Sequence, residues 1–123
     1  MPIETQLKSE PLLLSDAQKR VDEWISQFEE GYFPPMVQIA RLVEELGELS
    51  RALCHACGTK KPKAGEDPGN VQSELGDLLF VMICLANAQG IDLTEALRGV
   101  LDKIDHRDRT RWTLKPECRR DGE

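Results

Sequence analysis

Long apolar runs are missing from this chain. The longest, Leu78 to Ala86, has nine residues, too few to span a bilayer, which takes about 20. The first 14 residues hold no apolar stretch longer than Leu12-Leu13-Leu14, which argues against a targeting segment. Basic charge is also short. Sixteen Lys and Arg face 22 Asp and Glu, a net charge of -6. That balance argues against general binding to nucleic acid or to anionic membranes. An anionic substrate would need metal ions to bridge it to these acids. The four cysteines, at 54, 57, 84 and 118, show no secreted disulfide framework and read as reduced thiols. Only two histidines occur, His55 and His106, and neither follows a glutamate by three, so the di-iron bundle pattern is absent. Cys54-His55-Ala56-Cys57 lacks a second Cys/His pair at zinc spacing. Aromatics make up 5% of residues, and no strand signal rises above short ambiguous runs. The reading is one soluble, cytoplasmic domain with a single core of modest size.

What is present is helical periodicity. Residues 1–14 read as a loose arm. Ser15-Asp16-Ala17-Gln18 has the form of a capping box and predicts a helix start there. Ala17, Val21, Trp24, Ile25 and Phe28 share one face of that helix, and Gly31 and Pro34-Pro35 stop it. A second helix is predicted from about Pro35 to Ala56, with proline suited to its first turn and an apolar stripe at Ile39, Leu42, Val43, Leu46, Leu49 and Leu53. Cys57 to Gly69, with its Gly, Pro and Lys residues, is a loop. A third helix, about Asn70 to Gln89, is apolar nearly all round after Asp77, the pattern of a central helix. Asp92-Leu93-Thr94-Glu95 is a second capping box, opening a fourth helix with apolar positions Leu93, Ala96, Leu97, Val100, Leu101 and Ile104. The tail, 113–123, is predicted to fray. The expected class is all-α, about four helices in an antiparallel bundle over 15–112.

The chemistry is carried by a divided acidic motif. Glu44-Glu45-Leu46-Gly47-Glu48 is followed, after 25 intervening residues, by Glu74-Leu75-Gly76-Asp77. On helices of about 100° per residue, Glu44, Glu45 and Glu48 fall within one arc of about 100°, and Glu74 and Asp77 lie about 60° apart. Brought together, these faces gather five carboxylates, which repel one another unless a cation joins them. All-oxygen ligands favour Mg²⁺ or Mn²⁺. The blander alternative is a solvated face, with Arg41 and Arg51 pairing the acids of the second helix. On the third helix the positions one and two turns beyond Asp77, at Val81, Cys84 and Ala88, are predicted to be buried, so its acids stand at the mouth of an enclosed surface with no arginine on that helix to pair them. Lys103, Arg107 and Arg111 follow at i, i+4, i+8, a stripe either for phosphates or for its own helix dipole. Lys60, Lys61 and Lys63 on the loop suit a lid or mere solubility. Trp24 and Phe28 suit core packing better than base stacking.

An E-x-x-E, a spacer and an E-x-x-D in this form resemble the MazG-like all-α nucleoside triphosphate pyrophosphohydrolases. Phe28 to Phe33, Leu85-Ala86-Asn87 and Lys103 through Arg111-Trp112 resemble that family's short single-domain branch, of the YpjD type, so the likeness covers about residues 20–112. The resemblance implies hydrolysis between the α and β phosphates of a nucleoside or deoxynucleoside triphosphate, giving a monophosphate and pyrophosphate. It implies Mg²⁺ as cofactor (Mn²⁺ as an alternative) and a homodimer or homotetramer that completes the bundle. It implies Glu45, Glu48, Glu74 and Asp77 as metal ligands, Glu44 as a support for them or as the residue that activates water, and Asn87, Lys103 and Arg107 as substrate contacts. The rival from another class is a non-catalytic dimerisation or adaptor module whose acids form salt bridges. A third is a pyrophosphatase or phosphodiesterase using the same metals.

Overall fold

The computed structural model describes residues 10–122; the expectations for residues 1–9 and for Glu123 lie outside them. Four α-helices and one short 3₁₀ turn make up the regular structure, and the described residues contain no strand. The helices are α1 (Leu14–Ile25), α2 (Pro35–Ala56), α3 (Val71–Ala88) and α4 (Leu93–Arg107), with the 3₁₀ turn at Pro116–Cys118. The all-α class follows as expected. The chain divides into two compact units, one ending at Leu93 and the other beginning at Thr94.

In the first unit α3 is the central helix and packs on both α1 and α2. Gln38, in the first turn of α2, donates to the carbonyl of Cys84, near the end of α3, so the two helices run antiparallel. Asn70 caps α3, its side chain accepting from the Ser73 amide at 3.0 Å. Gly69 makes the approach possible: it has φ +79°, and a Cβ there would stand 3.1 Å from the Cβ of Ala52. Ala52, Val81, Ile83 and Ala86 are the buried apolar residues among those described. With two small alanines among them, the helices meet closely and few large side chains are enclosed.

Several expectations need correction. The residues of the first capping box lie inside α1, whose N-cap is Leu13 with no side-chain cap. Gln18 is drawn elsewhere: its amide nitrogen donates to Asn87 Oδ1 and the Ile91 carbonyl, and its oxygen accepts from the Leu93 amide. A tertiary partner has outcompeted the local cap. The helix then ends at Ile25 rather than at Gly31, and turns carry the chain to Pro34. Trp24 and Phe28, expected in the core, are 56% and 48% exposed, stacked edge-to-face on each other at 5.3 Å. Of the three positions beyond Asp77, Val81 is buried, Cys84 half-buried and Ala88 exposed, because Ala88 ends the helix. The apolar stripe of α2 is mostly open, with Ile39, Val43, Leu46 and Leu53 exposed. By length and mean hydropathy α3 would pass as a membrane span, which the nine-residue run did not suggest. Its carboxylates and its packing on two neighbours identify it instead as the core helix.

Candidate metal and phosphate site

One oxygen from each of Glu45, Glu74 and Asp77 lies within 4.8 Å of the others. The α2–α3 seam causes this. Glu45 sits on the same side of α2 as Gln38 and Ala52, the side turned to α3, while Glu74 and Asp77 are one turn apart on α3. Glu45 and Glu74 are half-buried and Asp77 is exposed. Partial burial, then the neighbouring carboxylates of Asp77, Glu48 and Glu45, raise the Glu74 pKa above the ordinary glutamate range, with Arg51 opposing. The acids are therefore crowded enough to resist ionising together.

Glu48 is close enough to repel Glu74 but stands outside the trio. Arg51 takes it, with Nη2 at 3.4 Å from Glu48 Oε2. The same guanidinium reaches the Asp67 carbonyl at 3.2 Å and Glu66 at 3.5 Å, so it ties Glu48 to the loop between α2 and α3. Arg41 pairs more weakly with Glu45, at 4.0 Å. Among the described residues neither Glu74 nor Asp77 has an ion-pair partner. Glu44 is exposed and outside the trio. Three of the five expected carboxylates thus converge, the fourth is held by an arginine, and the fifth stands apart.

Asn87 is committed to structure. Its amide nitrogen donates to the Gln18 carbonyl at 2.9 Å and to Tyr32 Oη at 3.0 Å, and its oxygen accepts from Gln18. Tyr32 in turn donates to Asp22 at 2.6 Å. Burial and that charged acceptor push the Tyr32 pKa up to about 12, against the opposing bond from Asn87. None of this chain of bonds was legible in the sequence, because it joins residues up to 69 positions apart.

Two further groups lie on the same two helices. His55 has its side chain 1% exposed; Nδ1 meets the Pro68 carbonyl at 3.0 Å and Nε2 lies 3.6 Å from Glu66. The histidine of the Cys54–Cys57 cluster therefore anchors the loop. The thiol of Cys84 is pushed up by burial, with Arg41 opposing, which keeps it protonated and unreactive at neutral pH. In the second unit Lys103 is exposed on α4, and Arg107 forms a two-pronged pair with Asp108, at 3.0 and 3.2 Å. Asp108 is the partner that the cationic stripe left unnoticed.

Against known proteins, residues 34–112 match the model of the MazG nucleotide pyrophosphohydrolase domain. The uncharacterized protein YpjD of Bacillus subtilis (strain 168) is 50% identical over 104 residues, which cover 85% of this chain and 94% of that one. Two crystal structures are similar. The Bacillus-conserved MazG protein, described as a nucleotide pyrophosphohydrolase, matches with TM-score 0.69 and 44% identity, covering 82% of this chain and 98% of that one. The putative pyrophosphatase YpjD from Bacillus subtilis matches with TM-score 0.71 and 47% identity, covering 78% and 98%.

Proposed function

This chain belongs to the MazG nucleotide pyrophosphohydrolase family, and we propose that it cleaves a nucleoside or deoxynucleoside triphosphate between the α and β phosphates with the help of Mg²⁺. The observation that carries the reading is the convergence of Glu45, Glu74 and Asp77 across two helices with no cation of the chain between Glu74 and Asp77. The donors are all oxygen, the set that hard divalent ions take. Oxygens sharing one Mg²⁺ at about 2.1 Å stand at most about 4.2 Å apart, so the trio fits after a small closure. Manganese would suit the same donors.

In this reading Glu45, Glu74 and Asp77 hold the ion, and Glu48 joins them by leaving Arg51. Arg51 then keeps Glu66 and the Asp67 carbonyl, a cation at the edge of a site that receives phosphates. Glu44, exposed on the same helix as Glu45, supports the ligands or takes the proton of the attacking water. Lys103 and Arg107 of α4 are assigned to the substrate by the family likeness alone, and within the second unit Arg107 is paired with Asp108. Asn87 has spent both amide hydrogens, so any contact of it with the nucleotide is as an acceptor, and its larger task is to hold α1 on α3. The bound ion supplies charge neutralisation and a more acidic water. The rest is positioning, which is most of what phosphoryl transfer asks of a protein. We place the protein in the cytoplasm, where its four unpaired thiols stay reduced. We infer a homodimer or homotetramer, from the large apolar side chains that one chain leaves open.

The adaptor reading draws on the pairs Arg41–Glu45 and Arg51–Glu48, which explain α2 and leave α3 unexplained. Product identification decides. With Mg²⁺ and a panel of triphosphates, pyrophosphate is the expected first product. Initial orthophosphate would refute the cleavage position, and no turnover on any triphosphate would favour the adaptor.

A further inference from the structure

The loop between α2 and α3 brings a second acid to the arginine that holds Glu48. The Arg51 guanidinium faces two ways. Nη2 lies 3.4 Å from Glu48 Oε2. Nη1 lies 3.5 Å from Glu66 Oε1 and donates to the Asp67 carbonyl at 3.2 Å. One positive charge therefore serves two carboxylates, and the two are not equal. The side chain of Glu48 is 52% exposed and that of Glu66 30%. Water and salt screen the more exposed pair more strongly, and the loop adds a carbonyl at its own end. Arg51 is thus held more firmly by the loop than by Glu48.

Glu66 is offered from a braced segment. Its amide donates to the Lys63 carbonyl at 2.9 Å, and Asp67 Oδ1 accepts from the Gly69 amide at 2.9 Å. His55, its side chain 1% exposed, meets the Pro68 carbonyl with Nδ1 at 3.0 Å. A carbonyl only accepts, so Nδ1 carries the hydrogen and Nε2 of the neutral ring has none. That Nε2 is buried without a hydrogen-bond partner and lies 3.6 Å from the same Glu66 Oε1. The neutral ring gives this oxygen no donor. Among the described residues no lysine and no other arginine pairs with Glu66. Its counter-charge is therefore Arg51.

The arrangement bears on how Glu48 can reach a divalent ion. Glu48 joins Glu45, Glu74 and Asp77 only after parting from Arg51. If Glu48 were the sole carboxylate on that arginine, its departure would leave an unpaired cation beside an incoming one, and like charges repel. With Glu66 in place, Arg51 stays neutralised after Glu48 has gone. We propose that Glu66 is a positioning residue for the metal site: it retains Arg51 on the loop and so lets Glu48 turn to the ion. This rests on the divalent-ion reading of the acidic trio. Glu66 lies outside that trio and acts on it through Arg51 and Glu48.

The test reads ion binding alone, with no nucleotide present. Mn²⁺ is titrated into the intact protein, and the free ion is followed by electron paramagnetic resonance. Glu66→Gln keeps the shape of the side chain and removes its charge. Its Kd for Mn²⁺ should rise about two- to fivefold, the worth of an exposed ion pair, while its melting temperature in EDTA changes by less than about 2 °C. Arg51→Gln should bind Mn²⁺ more tightly than the unaltered protein, because Glu48 is released. In the Arg51→Gln background, and likewise in Glu48→Gln, adding Glu66→Gln should change Kd by a factor of about one, since the route is already cut. A Kd that ignores Glu66→Gln would overturn the proposal. So would an equal rise in all three backgrounds, the mark of a distant charge or a loosened loop acting without Arg51. Failure of the unaltered protein to bind Mn²⁺ is a separate result: it removes the divalent-ion reading itself, and this role of Glu66 with it.

Discussion

Tyr32 is the only tyrosine of the chain, so its ionisation can be read without ambiguity. It donates to Asp22 and accepts from Asn87, and burial with the Asp22 carboxylate moves its pKa up to about 12. An unperturbed tyrosine titrates near 10. The raised value means that the fold binds this proton more tightly than the unfolded chain does. Its stabilising contribution is whole below about pH 10 and disappears as the pH climbs from 10 through 12. Tyrosinate absorbance should show a midpoint near 12 in the native protein, falling toward about 10 in Asp22→Asn or in denaturant. A native midpoint at 10 would mean that this bond is not formed. The acids of the site yield a prediction of unusual sign. Asp77 crowds Glu74, so Asp77→Asn should leave the melting temperature in EDTA unchanged or raise it by about 1–2 °C, as surface charge changes do. The same variant should lose the rise that Mg²⁺ gives the unaltered protein and drop activity by roughly 100-fold or more. A fall in EDTA stability would show instead that Asp77 supports the fold.

At the scale of the helix, the junction into α3 concentrates two devices, the Asn70 cap and the left-handed Gly69. Asn70→Ala should cost about 1 kcal/mol, as lost caps do. Gly69→Ala should cost more, because about 1–2 kcal/mol of left-handed strain adds to a methyl pressed against Ala52. Gly58, with φ +73° and no atom within 4 Å of a new Cβ, is the control: Gly58→Ala carries the strain without the contact. Chemical denaturation of the three variants should rank Gly69→Ala as the least stable, and equal losses at the two glycines would remove the close approach of Ala52 from the account. The helix as an element was also what the sequence expressed best. Periodicity located α2 and α3 within a residue or so, and i,i+3 spacing set Glu74 beside Asp77, since both depend only on local geometry. What it could not decide was competition between partners. Gln18 looked like a cap and serves Asn87, Ile91 and Leu93; Glu48 looked like a ligand and is held by Arg51; Arg107 looked free for phosphate and is held by Asp108. Arg51 was named from its spacing as a partner for the acids of α2 and does hold Glu48, whereas Asp108 was not foreseen for Arg107; a rotamer decides which of two partners wins.

Among the described residues little is enclosed. Ala52, Val81, Ile83 and Ala86 are the buried apolar ones, while Val43 and Leu46 on α2 and Leu75 and Leu79 on α3 are between 48% and 64% exposed. In the second unit, α4 likewise shows Leu97, Val100, Leu101 and Ile104. Contiguous apolar helix faces of this kind are costly in water, since each large side chain enclosed is worth about 1.5–3 kcal/mol, and exposed patches of such size mark contact surfaces. The amphipathic stripe was plain in the sequence; what covers it was not, because a stripe states that a face must be hidden and not by what. If a second copy covers it, folding and association are linked, and the melting temperature must rise with protein concentration. The expected results are a dimer or larger assembly in sedimentation at micromolar concentration and a higher melting point on each tenfold increase in protein. Leu46→Glu and Leu79→Glu, at positions 55% and 48% exposed, should shift the assembly toward monomer and lower the melting point together. A monomer whose melting point ignores both concentration and these substitutions would show that the open faces are tolerated by one chain alone, and the proposed assembly would then have no role in completing the core.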